Sequence, residues 1–292
     1  MTSGEISHLG RSRAETSPVS TSVGARIHAD GVAPSLAMSA SRPGSARTAA
    51  GWVSDGGPYQ NDVNLPHVEV FGQSTPTLDI LFEDEALIFI NKPAGVVVQQ
   101  RMHHPDEPYL HDEVTRHTSP AFLMQRLDRG TSGVMFFSKR GDVNAGLTRQ
   151  FKGKRIQKRY LAVCEGYLAE RQTVDAPLAR VGAIKFAVRE GGKTAITHVH
   201  PLHATPSGSL LEIGLETGRT HQIRVHLSAI GHPLAGDWLY GERNAVRPML
   251  HAAEIEMTHP LTNEPLRVAA PLPDDFLEEA TRRGIVIGER CA

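Results

Sequence analysis

The stretch Gln125-Arg126-Leu127-Asp128-Arg129-Gly130-Thr131-Ser132-Gly133 runs straight into Val134-Met135-Phe136-Phe137. It sets an acid between two arginines inside a turn-rich segment, and it ends in a short apolar strand. Asp128 has two readings. Arg129 or a more distant cation favours the charged form and leaves a carboxylate fit to act as nucleophile or base. Alternatively, Asp128 caps a surface loop beside two solvated arginines.

The pattern on either side is mostly strand after strand. Ile80-Leu81-Phe82, the polar turn Glu83-Asp84-Glu85, and Leu87-Ile88-Phe89-Ile90 predict a hairpin that Asn91-Lys92-Pro93-Ala94-Gly95 closes with turn chemistry. After Phe137, Val143, Leu147 and Phe151 fall at helical spacing. Tyr160 to Val163, residues 193–203 and 209–216, Ala253 to Met257 and Leu266 to Ala269 all predict strands. Thr220 is placed to cap a helix running to Gly231, with Ile223, Leu227 and Ile230 on its buried face. Asp275-Phe276-Leu277-Glu278 has the form of a capping box opening a last helix. The expected fold class is α+β, a mixed and mostly antiparallel sheet flanked by helices.

Ser, Thr, Gly, Pro and Ala fill 36 of the first 60 positions, and Lys is absent from them. Such a segment has little apolar surface to offset its ordering entropy. Residues 1–74 therefore read as a low-complexity tail and 75–292 as the folded domain.

Composition narrows the chemistry. With 31 Lys+Arg against 32 Asp+Glu the net charge is -1, so any basic surface must be local. Two cysteines in 292 residues exclude a disulfide scaffold and point to a reducing, cytoplasmic compartment. No apolar run is long enough to span a bilayer. Gly130-x-x-Gly133 lacks the lysine and context of a phosphate loop, and no Gly-x-Ser-x-Gly elbow is present. His198, His200 and His203 have no cysteine or acid close in sequence, so no metal and no cofactor is expected.

Two further segments carry chemistry. In Gly218-Arg219-Thr220-His221-Gln222-Ile223-Arg224-Val225-His226, the residues His221, Arg224 and Ser228 share one helical face. A cation in the first turn is disfavoured by the helix dipole, so Arg224 makes sense facing an anion; the plain alternative is an amphipathic helix with a polar outer face. From Lys139 to Arg159 there are eight Lys/Arg and one acid. That is either a stripe able to track phosphates or a solvated face. Tyr160 follows at once, able to stack on an unpaired base or to pack in the sheet.

Taken in order, these segments resemble the RluA family of RNA pseudouridine synthases, from about Leu78 to Phe276. The resemblance rests on Asn91-Lys92-Pro93-Ala94-Gly95, Arg126-Leu127-Asp128 with Thr131-Ser132-Gly133, and Lys158-Arg159-Tyr160 with Gly166. It continues through Gly218 to Arg224, Gly231-His232-Pro233-Leu234-Ala235-Gly236-Asp237 with Tyr240-Gly241, and Leu250-His251-Ala252. The resemblance implies an isomerase that flips a uridine out of ribosomal or transfer RNA and rejoins its base through carbon, without cofactor or metal. It implies Asp128 as the catalytic aspartate, with Arg224 paired to it and Tyr160 stacked on the base. Arg126 would fill the vacated space, and Ile223 and Leu250 would wall the pocket. Lys154, Arg155 and Lys158 would hold flanking phosphates. One departure stands out: the family usually has His before Arg-Leu-Asp, and here it is Gln125. Rival expectations are an inactive RNA-binding paralogue of the same fold and a carboxylate hydrolase, which needs a second placed acid. A monomer is the default expectation.

Overall fold

The computed structural model describes residues 78–99, 109–241 and 247–288. The expected tail, 1–74, and Cys291 lie outside the described residues.

The expected first hairpin is β1 (Ile80–Glu83) and β2 (Leu87–Lys92). Helix α1 (Leu110–His117) follows, then the short β3 (Phe122–Leu123) and β4 (Ser132–Ser138). Every residue of β4 is buried, which fits an unbroken apolar run in a strand covered on both faces. On one face Phe136 stacks between Phe89 of β2 and Phe151 of α2 (Asn144–Lys152). On the other Phe137 stacks on His111 of α1.

The chain continues as β5 (Gln157–Cys164), β6 (Gln172–Asp175), the small hairpin β7 (Leu178–Arg180) with β8 (Phe186–Val188), and the long pair β9 (Ile196–Thr205) and β10 (Gly208–Leu215). Helix α3 (Gln222–Ala229) precedes β11 (Leu250–Thr258), β12 (Pro265–Ala269) and α4 (Asp274–Arg282). Ten strands join in one sheet along the path β1-β2-β4-β11-β5-β10-β9-β6, with β12 added to β11 and β3 to β4. The pair β4–β11 is parallel and the others are antiparallel. This is the expected α+β class.

The parallel pair positions the site. Gly133 sits opposite Ala252 with φ +110, and a Cβ there would lie 2.2 Å from the Ala252 carbonyl oxygen. Only glycine allows that approach, and it brings the Asp128 loop beside the start of β11. Apolar residues from α4, Phe276 and Ala280, cover Leu161, Val163, Leu210 and Ala253 on the far face of the sheet.

Three local expectations are corrected. Thr220 does not cap α3: His221 precedes the helix in the left-handed region, φ 57, and no side chain caps the end. Asp275 does not form a capping box. Pro273 holds the cap position of α4, and the Asp275 carboxylate is taken by Arg247, 2.5 Å away. Nor is α3 amphipathic with a polar outer face, because Gln222 through Leu227 are all buried. Among the described residues no helix is long and apolar enough to cross a membrane.

Candidate active site

Asp128 lies on the loop between β3 and β4, with about a quarter of its side chain exposed. The loop is fixed by backbone contacts on two sides. Gly95 N–H donates to the Arg129 carbonyl at 2.8 Å, and the Arg129 Nε–H returns a bond to the Gly95 carbonyl at 2.9 Å. Beneath it, Lys92 is fully buried. Its ammonium donates to the carbonyls of Pro93 at 2.8 Å, Val96 at 3.0 Å and Arg129 at 3.2 Å. Burial pulls the Lys92 pKa down to about 7, the charge of Asp128 opposes that fall, and Arg247 and Arg129 add to it. Arg247 holds the loop from the other side, its guanidinium reaching the Gly130 and Pro248 carbonyls while gripping Asp275. The sequence pointed to neither cation, since lysine and arginine ordinarily read as surface.

Arg224 faces an anion, as its place in the first turn of α3 requires, and it faces two. Its Nη1 lies 3.5 Å from Asp128 Oδ2. Its Nε and Nη2 donate to the two oxygens of Asp237 at 2.7 and 2.8 Å. Asp237 is wholly buried, and its Oδ1 also accepts from the backbone N–H groups of Leu239 and Tyr240. Burial works against the charge on Arg224. The bidentate bond and the charge of Asp237, with Asp128 adding, still raise its pKa above the ordinary arginine value. Asp237 stood in a quoted motif without a role, and its function as the arginine's anchor is a finding of the structure.

Two side chains of α3, and His221 just before it, dock on Tyr240. Arg224 sits over the Tyr240 ring at 5.1 Å, His221 Nδ1 lies 2.8 Å from the phenol oxygen, and the Ser228 hydroxyl donates to the Tyr240 carbonyl at 2.9 Å. His221 Nε2 points at Asp128 Oδ2 from 3.8 Å.

Tyr160, Ile223 and Leu250 are buried in one apolar cluster with Leu127. Burial, and then the charge of Asp128, raises the Tyr160 pKa, so the phenol is neutral beside the carboxylate. Arg126 is exposed. Gln125, where the family usually has His, has a buried amide nitrogen with no partner among the described residues.

The basic run is not one free stripe. Lys139 pairs with Glu83, Arg140 with Asp142 and Lys154 with Glu216, and Arg159 lies 3.5 Å from both Glu212 and Glu254. Arg155 is exposed. Lys158 lies over the Phe151 ring at 4.9 Å, and burial lowers its pKa to about 8. Most of the neutralising acids are remote in sequence, which is why the run looked unpaired. Two of the histidines read against a metal site are hydrogen-bonded within the protein, His198 to Glu216 and Thr173 and His200 to Arg171, while the third, His203, has a buried Nδ1 with no partner among the described residues.

A loop acid, a buried arginine and a histidine thus approach one another, with the charge of Asp128 also felt at buried Tyr160. The RNA pseudouridylate synthase family matches this chain over residues 86–229. An RNA pseudouridine synthase of Bacillus subtilis, described as uncharacterised, is 39% identical over 216 residues, spanning 68% of this chain and 70% of its own.

The chain belongs to the RNA pseudouridylate synthase family. A ribosomal large subunit pseudouridine synthase D from Nitrosomonas europaea is 40% identical over 222 residues, 68% of this chain and 63% of that one. The synthase D of Pseudomonas aeruginosa is 35% identical over 223 residues. Among solved structures, human RNA pseudouridylate synthase domain containing 1 aligns with TM-score 0.56 and 26% identity, over 73% of this chain and 97% of that one. Human RNA pseudouridylate synthase domain containing 4 aligns with TM-score 0.60 at 24% identity, a likeness of fold. As a member of this family the protein is an isomerase acting on RNA.

Proposed function

We propose that the protein converts uridine to pseudouridine in large-subunit ribosomal RNA, with Asp128 as the catalytic aspartate. The observation that supports this is the approach of Arg224 to Asp128 Oδ2 from its buried clamp on Asp237. The ribosomal target follows the printed names of the relatives. The rival hydrolase needs a second carboxylate free to act. Asp237, the other acid at the site, is buried and fully engaged by Arg224 and two backbone donors.

The roles follow the family resemblance. The target uridine leaves its stack, at a cost of about a few kcal/mol. Exposed Arg126 fills the vacated space, and neutral Tyr160 stacks on the flipped base. Asp128, with Arg224 Nη1 3.5 Å from its Oδ2, acts at the reacting nucleoside while the C–N bond breaks and the C–C bond forms. Ile223 and Leu250 exclude water from the detached base. Arg155, Lys158 and Lys154 hold flanking phosphates, Lys154 by exchanging its partner Glu216. No redox step is involved and no cofactor or metal is required. The protein acts as a monomer in the cytoplasm, in keeping with its two cysteines.

The test is a pseudouridine map of ribosomal and transfer RNA from cells with and without the gene. Loss of one or a few large-subunit sites is the expected result. Identical maps would contradict the proposal, and losses confined to transfer RNA would move the target.

A further inference from the structure

Three separate features hold His221 where its Nε2 lies 3.8 Å from Asp128 Oδ2. The His221 backbone sits at φ 57, a left-handed conformation that histidine adopts more readily than most non-glycine residues, as asparagine and aspartate do. Its ring lies edge-on to Phe186 of β8 and to Tyr240, with centroids 5.8 and 5.6 Å away. Its Nδ1 lies 2.8 Å from the Tyr240 hydroxyl.

The Tyr240 oxygen accepts the Phe186 backbone N–H at 3.0 Å. With one lone pair so engaged, the phenol proton is placed to donate to His221 Nδ1, and the proposal takes that direction. In the neutral ring the hydrogen then resides on Nε2. Nε2 faces Asp128 Oδ2 from 3.8 Å, on the same oxygen that Arg224 Nη1 approaches at 3.5 Å. Both distances exceed a formed hydrogen bond, as catalytic contacts often do before substrate closes them.

We propose that His221 is a second positioning residue for Asp128: a tautomer-locked imidazole whose Nε2–H holds Oδ2 together with Arg224, so that Oδ1 is the oxygen turned to the nucleoside. The relay runs from Phe186 N–H through the Tyr240 hydroxyl to His221 and ends on the carboxylate. This rests on the proposed function for its kinetic arm only.

Two substitutions separate aim from backbone fit. Asparagine tolerates the left-handed backbone but carries its amide near the Nδ1 position, short of Asp128. Glutamine fits the backbone less well but reaches the Nε2 position with a donor. Full-length wild type, His221→Asn and His221→Gln are compared by tritium release from an unmodified large-subunit ribosomal RNA transcript labelled at uridine C5. The expected result is a fall in kcat of about 10- to 100-fold for His221→Asn with little change in KM, as for a misplaced reacting group. His221→Gln should recover a clear part of that loss. Asparagine equal to or better than glutamine, near-wild-type rates for both, or a loss in KM alone would overturn the proposal.

The second measurement needs no substrate. Imidazole nitrogen NMR shifts of His221 should report the Nε2–H tautomer in the wild type and a mixture in Tyr240→Phe. An Nδ1–H tautomer or a mixture in the wild type overturns the arrangement. If the wild type releases no tritium from the transcript, the proposed function fails, and the nitrogen shifts alone decide the positioning of His221.

Discussion

Arg224 and Asp237, thirteen residues apart, form a two-pronged ion pair with no exposed carboxylate surface, and the arginine's remaining nitrogen reaches toward Asp128. Asp237 thus fixes the plane of the guanidinium, and the guanidinium offers Asp128 one nitrogen rather than a full fork. A single arginine bound to Asp128 alone could swing to a bidentate grip on it; the buried partner prevents that.

Removing the anchor should therefore damage the site and the fold together. Asp237→Ala leaves a buried, half-paired guanidinium and two backbone N–H groups without their acceptor. Breaking a buried pair from one side costs about 3–5 kcal/mol. Urea denaturation should show that loss, and an unchanged midpoint would show that Arg224 is held by something else.

Arg224→Ala is uninformative by the same logic, because it strands the buried Asp237. Arg224→Lys keeps the charge and loses the planar fork. It should fold and bind RNA, with kcat falling far more than KM changes in the tritium assay. Equal losses in binding and turnover would contradict the role of Arg224 in aiming Asp128.

The Gly133–Ala252 approach predicts an intolerant position. A methyl group at 133 meets the Ala252 carbonyl carbon at 2.8 Å and its oxygen closer still, at a φ that L-residues rarely adopt. Gly133→Ala should destabilise the protein by about 3 kcal/mol or more, in the class of backbone-strain substitutions with large effects. Wild-type stability in this variant would mean that β4 and β11 separate readily.

His251 gives the acid limb of stability a predictable shape. It bridges Ser132 Oγ at 3.0 Å and the Ala270 carbonyl at 3.3 Å, and burial, opposed in part by the latter bond, lowers its pKa to about 4. The unfolded chain takes up this proton near pH 6.5, the folded one near 4, so stability is full above 6.5 and falls as pH drops through that window. Buried His226 is shifted in the same direction and adds to the slope. Denaturation midpoints of His251→Asn should show a shallower decline between pH 6.5 and 4 than wild type, by on the order of 2–3 kcal/mol. Parallel curves would place the sensitivity elsewhere.

Strands were the legible part of the fold, because their apolar runs are local. β1 with β2, β4, β5, β9 with β10, and β11 with β12 fall where the pattern put them. Helix ends were less legible. Thr220 and Asp275 have the right chemistry for caps, but left-handed His221 and the Arg247–Asp275 pair override it, and neither is visible in a local window. At the site, Arg224's need for an anion was legible from the dipole, whereas the anion that grips it, Asp237, comes from the turn after α3. Lys92 was hidden for a different reason. A lysine reads as solvated unless the three carbonyls that cap it are known, and one of them, that of Arg129, lies 37 residues away. The basic run misled in the opposite sense, since Glu83, Glu216, Glu212 and Glu254 arrive only through the sheet and its turns.

The most direct measurement is tritium release from C5-labelled large-subunit ribosomal RNA by the wild type and by Asp128→Asn, with thermal unfolding run alongside. Asparagine keeps the size and the hydrogen-bonding oxygen of Asp128 while removing its charge and nucleophilicity. The expected outcome is release by the wild type, none above background from Asp128→Asn, and closely similar unfolding curves for the two. Normal release by a fully folded Asp128→Asn would contradict the assignment of Asp128 as the catalytic aspartate.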